Sequence, residues 1–259
     1  MEDKRFSRLE RLVGASGLRR LEGAHVAVVG LGAVGSYAVE GLARAGVGRL
    51  RLVDFDEVRP TNINRQLYAL DSTVGLPKVE VARRRVADIN PRCVVEPLRI
   101  FVHVETLDQV LEGPPDLLID AIDALTPKVE TIAAALESGV PLISCMGAAV
   151  RTEPSRIRVG SLLGSQGCPL ARRIRQRLRK RGLPLDFTCV YSDEPPSEET
   201  LTGGPPSGES PEEDTLRRGR KRRTLGSLPT LTGIFGLTAA NEAIRMLLGL
   251  SRAREGKSR

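Results

Sequence analysis

Residues 24–35 read AHVAVVGLGAVG, and the fold class turns on this stretch. The run from Ala24 to Gly30 is short, apolar and closed by glycine, which is the pattern of a strand buried on both faces. Gly30, Gly32 and Gly35 stand in G-x-G-x-x-G spacing, and Ala33–Gly46 has helical periodicity. Arg49–Asp54 (RLRLVD) is a second strand, so strand, glycine turn, helix and strand form a βαβ unit. Gly30 allows the tight turn, Gly32 lets the backbone approach a phosphate, and Gly35 lets helix and strand pack closely. The helix N-terminus adds unpaired N–H groups and a partial positive charge. Asp54 ends the second strand, about 20 residues on, where a carboxylate accepts from ribose hydroxyls. A glycine turn that serves helix packing alone is the rival reading; strand, turn, helix and acid together favour a nucleotide.

Outward from this unit the alternation continues. Pro77–Asn90 reads as a helix, Cys93–Leu98 as a strand, Thr106–Leu111 as a short helix, Asp116–Asp120 as a strand, Thr126–Gly139 as a helix and Pro141–Cys145 as a strand. The predicted fold class is α/β, with a Rossmann-like, doubly wound, mainly parallel sheet over 24–146 and an amphipathic helical lead-in at 2–21. The C-terminal part is less regular. It holds a strand at Arg156–Ser161, a helix at Pro169–Arg181, a strand-like Thr188–Ser192, and an apolar helix at 230–250. Asn241, Glu242 and Arg245 interrupt the last, which favours a helix packed on the sheet over a membrane span. Residues 193–224 are Pro/Gly/Ser/Glu-rich and then Arg-rich, and read as a flexible insert carrying Arg217, Arg218, Arg220, Lys221, Arg222 and Arg223.

Composition narrows the class of protein. The chain has 259 residues with 41% hydrophobic, enough to bury a full core. Lys+Arg outnumber Asp+Glu by 39 to 32, for a net charge of +7, which makes an anionic partner the first expectation, nucleic acid ahead of others. Aromatics are 3% with no Trp, which argues against wide stacking platforms for single strands. Four scattered cysteines without any C-x-x-C exclude a zinc ribbon and disfavour a disulfide scaffold. A charged N-terminus without an apolar core points to a reduced, cytoplasmic protein.

The glycine fingerprint does not by itself separate a nicotinamide enzyme from one that uses ATP. Arg65 and Lys78 do more. A triphosphate under attack benefits from cations that neutralise charge on its leaving group; Arg65 can grip phosphate bidentately while Lys78 acts as a point charge. Singly, each is more commonly a solvated surface cation; their joint placement after Asp54 favours phosphate. Asp120-Ala121-Ile122-Asp123 closes the DLLID strand, at the end that faces the ligand crevice of an open sheet. Asp123 could hold Mg²⁺ against phosphates or cap the following helix; Asp120 could brace the turn.

RFSR at 5–8, GLGAVGS, LVDFDEV, TNINRQ, GLPKVE, and DAID with Lys128 behind it form a set in order and spacing. That set resembles the E1-like (ThiF/MoeB/HesA) adenylating superfamily across nearly the whole chain. The resemblance implies a single adenylating domain over 1–259, with ATP as the nucleotide and attack of a substrate carboxylate on its α-phosphate. It implies ATP contacts at Gly30, Gly32, Gly35, Asp54, Thr61, Asn62, Asn64, Arg65, Lys78 and Asp123, with Mg²⁺ on Asp123. It also implies that Arg8 reaches into a neighbouring subunit's site, and hence a homodimer, with Arg8, Arg65, Lys78 and Asp123 serving the reaction.

Gly147-Ala148-Ala149, the helix PLARRIRQRLRKRGL, Thr188-Cys189-Val190-Tyr191-Ser192 and the closing GSLPTLTGIFGLTAANEAI are similar to one branch of that superfamily, the tRNA threonylcarbamoyladenosine dehydratases. What that implies is ATP-dependent cyclisation of the threonylcarbamoyl group on adenosine 37 of a tRNA, which is the partner, with AMP and pyrophosphate released. Independently, Arg172, Arg173, Arg175, Arg177, Arg179, Lys180 and Arg181 spread around most of one helix, a natural contact for RNA phosphates or else a solvated face. The alternative activity is adenylation of the C-terminal carboxylate of a ubiquitin-like sulfur carrier, against which the missing zinc cysteines and the basic helix weigh. A nicotinamide enzyme would leave Arg65, Lys78 and Asp123 without a task, and a non-catalytic RNA scaffold would leave the acidic and basic set without one. A sulfur-relay partner protein is a further expectation. Cys189 reads as structural rather than reactive, and no role is assigned to His25 or His103.

Overall fold

The structure is a computed structural model that describes residues 4–195 and 225–250. The expected insert lies almost wholly outside the described residues, as does its arginine cluster.

Seven strands form one sheet in the order β3-β2-β1-β4-β5-β7-β6. They are β1 His25–Val29, β2 Arg49–Val53, β3 Val94–Leu98, β4 Leu117–Asp120, β5 Leu142–Cys145, β6 Ile157–Ser161 and β7 Thr188–Ser192. All pairings are parallel except β6 with β7. The helices are α1 Ser7–Gly23, α2 Gly35–Arg44, α3 Lys78–Ile89, α4 Leu107–Leu111, α5 Leu125–Glu137, α6 Pro169–Lys180 and α7 Pro229–Leu247.

Alternation along β1 shows how the layers form. Val26 and Val28 point into a core shared with α2, α3 and α7, while Ala27 and Val29 point into one shared with α4, α5 and α6. Each strand of the sheet's centre therefore reads as a continuous apolar run, because both of its faces are covered. The α2–α7 contact uses small residues: a Cβ on Gly236 would stand 2.2 Å from Val34 O, and one on Gly41 2.7 Å from Ala240 Cβ. That close approach explains the Gly/Ala-rich sequence of α7, and no helix among the described residues is long and apolar enough to cross a membrane.

Two features depart from the sequence reading. The lead-in helix is broken at Gly14 (φ +74°), so α1 is two helical segments across a kink. The C-terminal part is more regular than expected, since β7 inserts parallel beside β5 and carries β6 with it as an antiparallel edge. Strand order reverses direction between β1 and β4, and the crevice beyond the carboxyl ends of those two strands is where such sheets bind ligands.

Candidate active site

The glycine loop leaves β1 at that crevice. Gly30 has φ +90°, and a Cβ there would meet Ala121 O at 3.0 Å; a Cβ on Gly35 would lie 1.8 Å from Gly30 O. These two glycines are required by close packing of the loop on itself and on the end of β4. Gly32 differs: its Cβ position is open, with Gln66 Nε2 nearest at 3.9 Å. The open position is where backbone can approach a phosphate.

Asp54 is buried at the end of β2, one oxygen accepting from Leu31 N–H (2.7 Å) and the other from Asp56 N–H (2.8 Å). The carboxylate thus shapes the glycine loop, and each oxygen keeps a second lone pair for a ribose hydroxyl. Burial pushes its pKa up, opposed by the charge of Lys78 and by the two backbone donors. Lys78 opens α3, is 5% exposed, and its Nζ lies 3.1 Å from Asp56 Oδ2. Asp56, which the sequence reading passed over, is therefore the direct partner of Lys78.

The segment from Thr61 to Leu67 folds over the glycine loop, with Leu67 N–H donating to Ser36 Oγ (3.2 Å). Arg65 is half-buried and donates to Thr61 O (2.9 Å) and Asn64 Oδ1 (2.8 Å), which aims its guanidinium along this loop. Thr61 and Asn64 are exposed; Asn62 is buried, and its Oδ1 accepts from Arg59 N–H (3.1 Å), closing the turn.

At the end of β4, Asp120 and Lys128 form an ion pair (2.7 Å) in which both side chains are fully buried. Ser144 Oγ donates to Asp120 (2.6 Å), Ile122 N–H donates to its other oxygen (3.1 Å), and Lys128 Nζ donates to Ile122 O (2.9 Å). Asp120 braces the turn, as its place in the sequence suggests. Asp123 lies just beyond and is exposed; the helix cap is Ala124, which makes no side-chain cap bond. Among the described residues no group of three or more His, Cys, Asp or Glu could hold a metal. A divalent cation here would need one protein carboxylate plus phosphate oxygens, which is how Mg²⁺ is ordinarily held, and Asp123 fits that part.

Beside Asp54, Phe55 meets Phe101 edge-on (centroids 5.0 Å apart, 72°), and Phe101 leans toward His103 (6.2 Å, 31°). Phe101 is 43% exposed. His103 Nδ1 accepts from Glu105 N–H, so the neutral ring carries its proton on Nε2. This ledge past β2 and β3, next to Asp54, offers an aromatic face on which a flat base can stack.

The basic helix α6 packs beside α5. Ala171, Ile174 and Leu178 form a narrow buried stripe, and the basic residues spread around most of the rest of the helix, as expected. Spacing of i, i+3, i+7 suffices to bury one face even in so charged a sequence. Arg175 turns inward to Leu162 O (3.1 Å) and Ser165 O (2.8 Å), Arg177 donates to Thr126 Oγ1 (3.1 Å), and Arg181 pairs with Glu130 (2.8 Å). Arg173, Gln176, Arg177, Arg179 and Lys180 line, with Leu125, a groove of about 710 Å³. Leu125 begins α5 two residues after Asp123, so the groove abuts the loop that carries Asp123.

Residues 6–258 match the ThiF family. The chain belongs to that family. It is 46% identical over 191 residues to a Bacillus subtilis tRNA threonylcarbamoyladenosine dehydratase, covering 74% of this chain and 75% of that one. Over 265 residues it is 35% identical to the Escherichia coli protein of the same name, covering 98% and 96%. The crystal structure of the E. coli dehydratase TcdA in complex with ATP superposes with a TM-score of 0.81 at 33% identity, over 95% of this chain and 94% of that one.

Within this ThiF-family chain, Arg8 stands apart from the other predicted site residues. It is exposed on α1 just after Phe6, whose ring lies 3.5 Å from the Cβ position of Gly46, before β2 begins. That is the amino end of the sheet, opposite the glycine loop. Three of the four cysteines are buried, and burial pushes the thiols of Cys145 and Cys189 up to about 12 and that of Cys93 to about 11. Such thiols are poor nucleophiles. The side chains that sequence reasoning missed are Asp56, Ser144, Phe55 and Phe101, with Lys128 quoted in a motif but given no task. Asp56 alone had a signal, the second acid of LVDFDEV.

Proposed function

We propose that this chain catalyses the ATP-dependent dehydration of N6-threonylcarbamoyladenosine at position 37 of tRNA, in the manner of an adenylate-forming ligase. The free carboxylate of the threonine moiety attacks the α-phosphate of ATP, forming an acyl-adenylate and releasing pyrophosphate. A nitrogen of the same modified base then attacks the activated carbonyl, expels AMP and closes the ring. One water is lost from the nucleoside and is accounted for in the cleavage of ATP to AMP and pyrophosphate.

The observation that carries this reading is the contiguity of two surfaces: a loop that can hold phosphates at Gly32, and a groove lined by Arg173, Arg179 and Lys180 beside Asp123. The base of ATP lies on the Phe55–Phe101 ledge and its ribose at Asp54. Arg65 and Lys78 offset charge on the departing pyrophosphate. Mg²⁺ bound through Asp123 would shield the phosphates. Arg173, Arg179 and Lys180 receive RNA phosphates, while Arg175 and Arg181 hold α6 in place. Since Arg8 lies at the far end of its own sheet, its contribution comes from the second subunit of a homodimer. Cytoplasmic tRNA sets the compartment. A sulfur-relay partner, if it acts here, uses chemistry other than the thiols of this chain.

The test is ATP turnover to AMP and pyrophosphate with and without tRNA carrying the modification, followed by mass analysis of the nucleoside. AMP formation that depends on that tRNA, with one water lost from the base, is the expected result. Asp123→Ala and Arg65→Ala should each lower turnover by about 10²-fold or more with the thermal midpoint unchanged. AMP formation with the nucleoside unaltered would transfer the assignment to a protein carboxylate.

A further inference from the structure

Arg151 lies on the loop that leaves the carboxyl end of β5, and it is a buried cation that no carboxylate among the described residues bonds; Glu194 is near enough to feel its charge but makes no ion pair with it. It is 3% exposed. Its Nη2 donates to Gly167 O (3.0 Å), whereas Nε and Nη1 are buried with no hydrogen-bond partner. The hydrogen bonds of the neighbouring acids go elsewhere, and Asp193 Oδ1 is buried without one. Glu194 accepts from Thr152 N–H (3.0 Å), Thr152 Oγ1 (3.0 Å) and Glu153 N–H (3.0 Å). Asp193 pairs with Arg158 (3.0 Å). The preceding residue, Val150, has φ +54°, the only positive φ outside glycine among the described residues, and its N–H is tied to Gly226 O (2.9 Å). A β-branched residue in the left-handed region is strained. Open donors on a buried guanidinium, held next to a strained residue, are costly to keep and mark a group with a use.

The order of the sheet says which ligand reaches it. Going from β2 through β1 to β4, the carboxyl ends present the ribose acid Asp54, the phosphate loop and Asp123. The nucleotide is spent by that point. β5 is the next strand along, on the side where α6 and its groove lie, so what arrives at the β5 loop belongs to the molecule that attacks ATP. We propose that Arg151 receives an oxyanion of the tRNA substrate, either the threonyl carboxylate or an anticodon-loop phosphodiester, and so positions the modified base against the α-phosphate. This rests on the tRNA reading given above.

The experiment compares Arg151→Gln and Arg151→Lys with the wild-type full-length chain. Binding is measured for the modified tRNA, for the same tRNA transcribed without modification, and for ATP, each over a salt series. The Gln variant should bind modified tRNA about tenfold more weakly, the scale of one charge-assisted hydrogen bond, with ATP affinity unchanged. The Lys variant should recover part of the loss. The melting temperature of the Gln variant should be equal or higher, because a buried charge with two unpaired donors has been removed. If both RNAs weaken together and the salt slope falls by about one, the anion is a phosphodiester; if only the modified tRNA weakens, it is the carboxylate. Unchanged affinity for both RNAs, or a lowered melting temperature in both variants with tRNA affinity intact, would show a structural arginine and overturn the proposal. Wild-type protein that binds no tRNA would overturn the reading beneath it, and the proposal with it.

Discussion

Lys128, on α5 against the carboxyl end of β4, and Arg51, in the middle of β2, are buried cations that are satisfied in different ways. Lys128 is matched one to one. Its ammonium faces Asp120 and the Ile122 carbonyl, and neither it nor the carboxylate has any exposure. Arg51 is held redundantly. It bonds Glu96 (2.8 Å), Val110 O (2.8 Å) and Glu112 O (2.6 Å), and Glu96, which is 23% exposed, is shared with Arg49. The sealed pair lies directly under the site: Ala121, between Asp120 and Ile122, is what the glycine loop packs against. The open cluster ties β2 to β3, to α4 and to the residue after it, and none of its bonds goes to a residue of the crevice. A one-to-one pair gives the site loop a single geometry, and a shared cluster gives the sheet tolerance.

The largest expected effect follows from breaking the sealed pair. Lys128→Met leaves the Asp120 carboxylate alone in the core, at a cost of about 3–5 kcal/mol, read from urea denaturation, and it should also abolish turnover by releasing the loop that carries Asp123. Burial already pushes the Asp120 carboxyl up against the pull of Lys128 and Ser144, so without the lysine it would take up a proton or drag water in.

Arg51→Met is the matching change in the open cluster, and its cost should be about 1–3 kcal/mol. Glu96 keeps Arg49 and reaches solvent, so what is lost is mainly the bonds to two carbonyls. Turnover should stay within about twofold of wild type, since the change touches no reacting group. An Arg51→Met chain as unstable as Lys128→Met would break the distinction between sealed and redundant cations.

Much of this was legible in the sequence. The glycines, the apolar runs and the acid at the end of β2 point to a parallel sheet with a glycine turn after its first strand, and the elements from β1 to β5 follow from it. The place of β7 was not legible, because a five-residue apolar strand after an irregular stretch does not say which neighbour it pairs with. Neither was the difference between Arg175, which faces inward, and Arg173 or Arg179, which do not. Helical spacing shows where the apolar stripe of α6 lies, but not which flanking arginine folds over it onto a carbonyl. Lys128 was hidden for the opposite reason: a lysine on a helix reads as solvated until the strand beside it brings Asp120 within 2.7 Å. Arg151 was hidden as well, since burial without a partner leaves no mark in sequence.

The smallest effect sharpens the comparison through pH. His25 sits in the open cluster, 8% exposed, its Nε2 without a hydrogen-bond partner and 3.9 Å from Glu96. Burial, followed by the charges of Arg51 and Arg49, holds its pKa below 6.5, and Glu96 and Asp116 only partly offset them. In the window between the depressed folded value and 6.5 the unfolded chain binds more protons, so stability rises with pH there and is lost as pH falls below 6.5. The slope contributed by one such group stays below about 1.4 kcal/mol per pH unit. Urea midpoints taken between about pH 5 and about pH 7, where histidine titrates, should therefore fall less steeply on acidification in His25→Gln than in wild type. Arg51→Met should flatten the curve in part, because it removes the second of the causes that depress His25. If the His25→Gln curve is as steep as wild type, His25 is not the source of the slope; carboxylates such as Glu40 and Glu96, whose pKa values are lowered by their arginines, lose their contribution only below 4.5. The position of the break on the pH axis thus separates a histidine without a partner from carboxylates that have them.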